Sequence, residues 1–225
     1  MSGVSFASAG SGFDPLTPTI SNVIPIAKQM ENFRECKRRL ESVFGKEETK
    51  NHIEKAAFMI SAGTNDFVLN YLSLPELWEE GGRKIAVVGL PPMGCLPIVI
   101  TFNSDKSFEE RECIDKYSSI ARDYNQMLQN ELHFMQLHFN LSNPSSKIYY
   151  IDIYQPLADM IEDPQKYGFD VVDSGCCGSG YIEASFLCNH ISSVCSDPSK
   201  YVFWDSIHPT QKAYQDVLLR SSFHH

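Results

Sequence analysis

Lys84-Ile85-Ala86-Val87-Val88-Gly89 is an apolar run that begins at a lysine and ends at a glycine. A short run of this kind, apolar on both faces, is typical of a strand buried inside a parallel sheet. Residues 55–61 and 147–153 have the same character, and residues 4–8 form a weaker fourth run. Helical patterns separate these runs, and the alternation predicts an α/β fold with right-handed crossover connections.

Two apolar stripes at helical spacing lie between the predicted strands. Residues three, four or seven apart share one face of a helix, so we expect both stripes to face the core rather than a cofactor. The first stripe consists of Ile26, Met30, Phe33 and Leu40, and the second of Cys113, Tyr117, Ile120, Tyr124 and Met127.

The composition is that of an ordinary globular protein. The chain has 225 residues, of which 43% are hydrophobic and 21% charged, and we expect a single domain spanning residues 1–225. The formal net charge is −9 and the longest basic run is Lys37-Arg38-Arg39, which argues against a nucleic-acid partner. No segment approaches the roughly 18 consecutive apolar residues of a membrane span. Residues 1–5 have none of the features of a secretion signal.

The chain contains seven cysteines, and four of them crowd into the stretch from Cys176 to Cys195. Their spacing fits a zinc site poorly, so disulfides are favoured over reduced core thiols and over metal. One cysteine would be left over, and Cys36, on a polar helix far from the others, is the candidate. The remaining six allow 15 pairings, which the sequence does not distinguish. An Asn-Leu-Ser sequon at Asn140 weakly supports passage through the secretory pathway.

A carboxylate and an imidazole lie three residues apart in Phe203-Trp204-Asp205-Ser206-Ile207-His208-Pro209-Thr210. In a turn or a first helical turn this spacing puts both side chains on one side, so Asp205 can orient His208 as a base. The alternative is that Asp205 caps the helix that follows and that His208 is a surface residue. No other histidine forms a comparable pair with a carboxylate, and none has a spacing that indicates a metal site.

Two loops that follow predicted strands offer hydrogen-bond donors. Gly10 allows a backbone N–H to approach a ligand closely, and Asn65 supplies a side-chain amide after a buried strand. In a parallel sheet such loops gather at one edge, where the two donors together would form an oxyanion hole. The alternatives are a glycine-rich turn at Gly10 and an Asx turn at Asn65.

These loops, taken in order, resemble the plant GDSL-motif esterase/lipase family of the SGNH-hydrolase superfamily. The resemblance covers nearly all 225 residues. The matching blocks are Ser5-Phe6-Ala7-Ser8-Ala9-Gly10-Ser11-Gly12, Gly63-Thr64-Asn65-Asp66, Gly89-Leu90-Pro91-Pro92-Met93-Gly94-Cys95, Tyr167-Gly168-Phe169, Cys176-Cys177-Gly178 and Tyr201 to Thr210.

The resemblance implies a three-layer, flavodoxin-like parallel sheet with helices on both faces. It also implies that Gly10 and Asn65 are oxyanion donors, that His208 is the general base and that Asp205 holds its tautomer. The implied substrate is a small-molecule or lipid ester, hydrolysed without a cofactor or metal, and the implied location is extracellular. The natural ester and the oligomeric state stay open.

The family's nucleophile, a serine in a Gly-Asp-Ser block upstream of the glycine-rich block, is absent from this sequence. No G-x-S-x-G motif replaces it. We therefore expect an N-terminally truncated hydrolase domain that lacks the first central strand, is inactive as it stands and is less stable than an extended chain. The alternative is a non-catalytic binding module that keeps the family's pocket.

Overall fold

The computed structural model describes residues 3–8, 11–12, 23–60, 77–103, 110–142, 146–221 and 223–224. Contacts group the chain into two compact units, Met1–Val88 with Asn130–Tyr150 and His225, and Gly89–Gln129 with Ile151–His224. The expectation of a single domain stays a prediction.

The described residues form seven α-helices and six strands, in the following order along the chain. The elements are α1 (Ile26–Phe44), α2 (Lys46–Lys55), β1 (Ala57–Ile60), β2 (Lys84–Val88), α3 (Pro97–Asn103), α4 (Asp115–Ser142), β3 (Lys147–Ile151), α5 (Tyr154–Glu162), α6 (Pro164–Tyr167), β4 (Val171–Gly175), β5 (Tyr201–Phe203), α7 (Gln211–Arg220) and β6 (Phe223–His224).

The first unit contains three strands at the predicted apolar runs, but β1 is not buried as predicted, since Met59 is 66% exposed. β1 and β2 pair in parallel, from Ala57 opposite Lys84 to Ile60 opposite Val87, and β3 follows β2 in the strand order. The chain therefore forms parallel sheets flanked by helices, as the α/β prediction requires. Among the described strands β1 lies at one end of this order. The expectation of a missing central neighbour stays a prediction.

Helix α1 presents the first predicted stripe to the interior of this unit. Phe33 is buried and meets the rings of Phe6 and Phe58 edge-on, at centroid distances of 5.7 and 5.4 Å. Edge-on ring pairs add to the burial of apolar area. Met30 is buried as well, so the helical spacing identified the correct face.

Residues 4–8 do not form the predicted fourth strand. Phe6 packs on Phe33 of α1, and the hydrogen bonds described for this segment are local or with the residues before α1. The N–H of Ser11 donates to the carbonyl of Ser8 at 3.1 Å, and the hydroxyl of Ser8 accepts from the N–H of Ile24 at 3.1 Å. A strand requires a ladder with a neighbour. No described strand pairs with this segment.

The second predicted stripe is right only in part: Tyr117 and Tyr124 are partly buried and pack against the core, but helix α4 buries a neighbouring row more deeply. Ile120 and Met127 are 40% and 50% exposed. The buried row includes two polar residues, Ser118 and Asn125, and their hydrogen bonds explain the choice of face. Ser118 accepts from the N–H of Gly94, and Asn125 both accepts from and donates to the backbone of Leu90. The apolar members of that row are Ala121, Leu128, Leu132 and Phe139.

The second unit is built around a two-stranded parallel sheet of β4 and β5, with Val171 opposite Tyr201 and Gly175 opposite Phe203. Side chains of strand β5, of helices α4, α5 and α7 and of the segments that connect them form one apolar core. Its members are Leu90, Met93, Leu96, Ala121, Leu157, Met160, Phe169, Val202, Phe203, Ala213 and Val217. This core lies beneath the connection from β5 to α7, which carries Asp205 and His208.

Six cysteines form disulfides in this unit, and the prediction of disulfides is confirmed. The pairs are Cys95–Cys113, Cys176–Cys195 and Cys177–Cys188. Cys36 is the free cysteine, as predicted. None of the helices in the described ranges has the length and apolar character that crossing a bilayer would take.

Candidate active site

The connection between β5 and α7 folds back on itself as a closed turn. The N–H of Trp204 donates to the carbonyl of His208 at 2.7 Å, and the N–H of Thr210 donates to Val202 at 2.9 Å. Phe203 and Pro209 face each other as an antiparallel bridge. Asp205 lies inside this turn and His208 lies at its end, so the backbone brings the two side chains to one side.

Asp205 is 2% exposed and accepts hydrogen bonds on both carboxylate oxygens. Oδ1 accepts from the N–H groups of Ile207 and His208, at 2.8 and 2.7 Å. Oδ2 accepts from the N–H of Ser185 at 3.0 Å and lies 2.8 Å from Nδ1 of His208. A buried carboxylate is stable only when it is satisfied in this way.

The hydrogen bond between the two side chains determines which ring nitrogen of His208 carries the proton. An ionised carboxylate only accepts, so Nδ1 donates to Asp205 and Nε2 is left as the basic nitrogen. The side chain of His208 is 40% exposed, whereas that of Asp205 is 3% exposed. A buried, oriented carboxylate thus holds a partly exposed imidazole in the tautomer that a general base needs.

The pKa values of the pair move apart. Burial is the largest influence on the pKa of Asp205 and raises it, but the hydrogen bond from His208 and the three backbone donors outweigh burial and hold that pKa below its ordinary value. The hydrogen bond from Asp205 is the largest influence on the pKa of His208 and raises it, against a lowering by burial. The carboxylate is therefore ionised at neutral pH.

The alternative role of Asp205 as a helix cap is wrong. The residue before α7 is Thr210, whose hydroxyl accepts from the N–H of Ala213 at 3.2 Å and donates to the carbonyl of Tyr201 at 2.8 Å. Both carboxylate oxygens of Asp205 are engaged within the turn and by Ser185. The orienting interpretation of the sequence, in which Asp205 contacts His208, matches the geometry.

Close packing beneath the turn requires a glycine on β4. A Cβ atom on Gly175 would lie 2.7 Å from the backbone carbonyl carbon and oxygen of Asp205. Real side chains do not approach backbone atoms so closely, so any larger residue would displace Asp205. Gly175 therefore positions the carboxylate through the absence of a side chain.

Ser185 is a contributor that sequence reasoning missed. It lies 20 residues before Asp205 in irregular sequence, and its φ of +52° is in the left-handed region that non-glycine residues rarely adopt. No local spacing connects it to the pair. The only sequence signal nearby was the crowding of cysteines around it.

Gly10 and Asn65, the predicted oxyanion donors, lie outside the described residues. The hydroxyl of Ser179 donates to the carboxylate of Glu183 at 2.6 Å, and that of Ser174 donates to the carboxylate of Asp173 at 3.2 Å. Within the described part of the chain, no group of three His, Cys, Asp or Glu side chains could hold a metal ion.

Residues 1–219 match the sequence model of the family described as GDSL-like lipase/acylhydrolase. The chain is 54% identical to the Arabidopsis thaliana protein named GDSL esterase/lipase At5g45960, over 95% of this chain and 63% of that protein. It is 41% identical to GDSL esterase/lipase At1g06990, over 95% and 65%, and 40% identical to GDSL esterase/lipase At2g40250, over 96% and 66%, both also of Arabidopsis thaliana. The chain thus spans about two thirds of the length of these curated relatives.

Proposed function

The chain belongs to the GDSL-like lipase/acylhydrolase family, and we propose that it supplies the base and the orienting carboxylate of a serine esterase. The single observation that carries the proposal is the hydrogen bond of 2.8 Å between Nδ1 of His208 and Oδ2 of a buried Asp205. An imidazole held in this way is the general base of serine acyl transfer.

The proposed reaction is hydrolysis of a carboxylic ester in two steps. Nε2 of His208 takes the proton of a serine hydroxyl as the serine oxygen bonds to the ester carbonyl carbon, and then returns that proton to the departing alcohol. In the second step, water gives a proton to Nε2 as its oxygen attacks the acyl carbon. Nε2 then passes that proton to the serine oxygen as the bond between this oxygen and the acyl carbon breaks, which releases the acid and restores the serine hydroxyl. Asp205 stabilises the imidazolium that forms in each step.

The other participants are carried over from the family resemblance. Gly10 and Asn65 are the proposed oxyanion donors, through a backbone N–H and a side-chain amide. The serine belongs to a Gly-Asp-Ser block that the 225 residues do not contain. The 225 residues alone are therefore proposed to be inactive, and a segment carrying that block would complete the site.

The proposed substrates are small-molecule or lipid esters, in keeping with the esterase/lipase names of the relatives. We place the protein outside the cytosol because six of its seven cysteines are paired. Disulfides of this density persist in oxidising compartments.

Fluorophosphonate labelling and hydrolysis of p-nitrophenyl acetate test this proposal. We expect neither reaction with the 225-residue chain and both with an N-terminally extended chain that carries a Gly-Asp-Ser block. In the extended chain, His208→Ala and Asp205→Asn should each lower kcat by about 10⁴-fold, because either change removes the correctly protonated base. His138→Ala, at an exposed position of α4, is the matched control and should keep full activity.

Two outcomes would contradict the proposal. Labelling of the 225-residue chain at Ser174 or Ser179 would assign a different nucleophile. Failure of a folded, extended chain to react would favour a second candidate, a non-catalytic module that binds esters in the family's pocket. The absence of Gly-Asp-Ser from this sequence is the observation that favours this candidate.

A further inference from the structure

The loop that the Cys176–Cys195 disulfide closes contacts the Asp205 turn at several points. The N–H groups of Cys176 and Cys177 donate to the carbonyls of Phe203 and Trp204, at 3.0 and 2.9 Å. They extend the β4–β5 pairing to the residue before Asp205. One end of the loop is thus fastened beside the carboxylate by backbone hydrogen bonds.

The middle of the same loop reaches the other side of Asp205. The N–H of Ser206 donates to the carbonyl of Glu183 at 2.8 Å, and the N–H of Ser185 donates to Oδ2 of Asp205 at 3.0 Å. Oδ2 is the oxygen that holds Nδ1 of His208. Ser185 therefore acts on the atom that orients the imidazole.

The Cys177–Cys188 disulfide joins these two attachments covalently. The N–H of Cys177 donates a hydrogen bond to the carbonyl of Trp204, and the N–H of Cys188 donates one to the carbonyl of Ser185 at 3.0 Å. The covalent link thus keeps the Ser185 segment close to the Asp205 turn. Ser185 keeps a left-handed backbone conformation, which a non-glycine residue retains only where the surrounding structure holds it.

We propose that this disulfide-closed loop positions the catalytic pair, with the N–H of Ser185 as the positioning group and the Cys177–Cys188 disulfide as the link that holds it there. The inference rests on the proposed roles of Asp205 and His208. Without the link, the loop moves away from Oδ2, water reaches the carboxylate, and the hydrogen bond to His208 weakens. The catalytic pair then loses its orientation although neither of its residues has changed.

Two other titratable groups border the pair. Tyr214 on α7 has a pKa raised by burial and by the negative charge of Asp205. Glu183 lies in the loop itself, and its carboxylate is occupied by Ser179. Neither group is altered by the substitutions proposed below.

Nuclear magnetic resonance titration of the His208 ring in the 225-residue chain tests the proposal. The His208→Gln variant identifies the resonance by its loss. In the Cys177→Ala/Cys188→Ala double variant we expect the pKa of His208 to fall toward its ordinary value. The matched control is Cys95→Ala/Cys113→Ala, which removes a disulfide of the same unit that closes a loop of similar length, 18 against 11 residues. This control should keep the pKa of the unsubstituted chain.

A second pair of variants tests Ser185 without touching a disulfide. Ser185→Gly keeps the N–H and accepts the left-handed conformation, so it should leave the titration unchanged. Ser185→Pro removes the N–H and cannot adopt a φ of +52°, so it should lower the pKa of His208. Equal shifts in both disulfide variants, or an unchanged titration in Ser185→Pro, would overturn the proposal. The titration reports on the hydrogen bond whether or not the protein hydrolyses esters, so failure here is distinguishable from failure of the proposed function.

Discussion

Asp205 shows how one buried carboxylate can serve both the turn that contains it and the imidazole beside it. Oδ1 accepts from two N–H groups of its own turn, while Oδ2 faces Ser185 and His208. The first set of bonds is local and follows from the Asp-x-x-His spacing. The second oxygen requires a partner from a distant loop, so the final orientation of His208 is a tertiary property.

The opposite pKa shifts of the pair predict how stability depends on pH. The raised pKa of His208 means that its contribution is fully present below its unfolded pKa of about 6.5. That contribution is lost as pH rises through the higher folded value. The free energy of unfolding of the chain, relative to the His208→Gln variant, should therefore decrease as pH rises above about 6.5. Urea denaturation of both proteins at several pH values measures this difference in the free energy of unfolding.

The contribution of Asp205 to stability depends on pH in the opposite direction and changes at acid pH. Because its pKa is lowered, its contribution is present above the unfolded pKa and is lost as pH falls through the folded value. For His208, the difference in the free energy of unfolding between the chain and the His208→Gln variant must shrink above neutral pH. A difference that stayed constant or grew would contradict the geometry of the pair.

Helix α7 is capped at its N-terminus by Thr210, whose hydroxyl takes part in two hydrogen bonds. The hydroxyl accepts from Ala213 and donates to Tyr201, and the residue is 2% exposed. The cap therefore joins the helix start to strand β5 and closes the turn that holds Asp205. The sequence offered Asp205 as the candidate cap of this helix, whereas the residue that caps it is Thr210.

Thr210→Ala should destabilise the protein by about 1 to 2 kcal/mol, because it removes the cap and the hydrogen bond to the carbonyl of Tyr201. Thermal or urea unfolding measures the loss. Thr210→Ser keeps the hydroxyl and is the matched control, with most of the stability retained. If the serine variant lost as much as the alanine variant, the methyl group rather than the cap would be responsible.

Helix α4 shows why apolar spacing alone did not identify the most deeply buried row. Tyr117 and Tyr124 of the predicted stripe do pack against the core. Ser118 and Asn125 are buried more deeply because loop backbone groups at Gly94 and Leu90 require partners. Buried backbone groups must be satisfied, and the free energy of leaving them unpaired outweighs the exposure of an isoleucine. This requirement is invisible until the loop and the helix are adjacent.

At the scale of the whole molecule, the disulfides are the covalent framework of the second unit. Cys176–Cys195 and Cys177–Cys188 close nested loops around Ser185, and Cys95–Cys113 closes a third. By loop-closure entropy each contributes on the order of 3 kcal/mol. The proposed extracytosolic location and the proposed positioning of Asp205 both depend on this framework.

Alkylation with iodoacetamide and mass measurement check the framework directly. In denaturant without reductant we expect one carbamidomethyl group, on Cys36, and after reduction we expect seven. Peptide mapping of the unreduced chain should recover the three pairs. Three or more modified cysteines before reduction would contradict the pairing.

The parallel strands, the inward face of α1, the contact between Asp205 and His208 and the free Cys36 could all be predicted from the order of the amino acids. Each depends on local spacing or on a count, which short-range sterics and burial are enough to decide. The pairing of the cysteines, the row of α4 that is most deeply buried and the hydrogen bond from Ser185 to Oδ2 of Asp205 are visible only in the folded chain. Those contacts join residues far apart in the chain, and only the closure of loops around a common core brings such residues together.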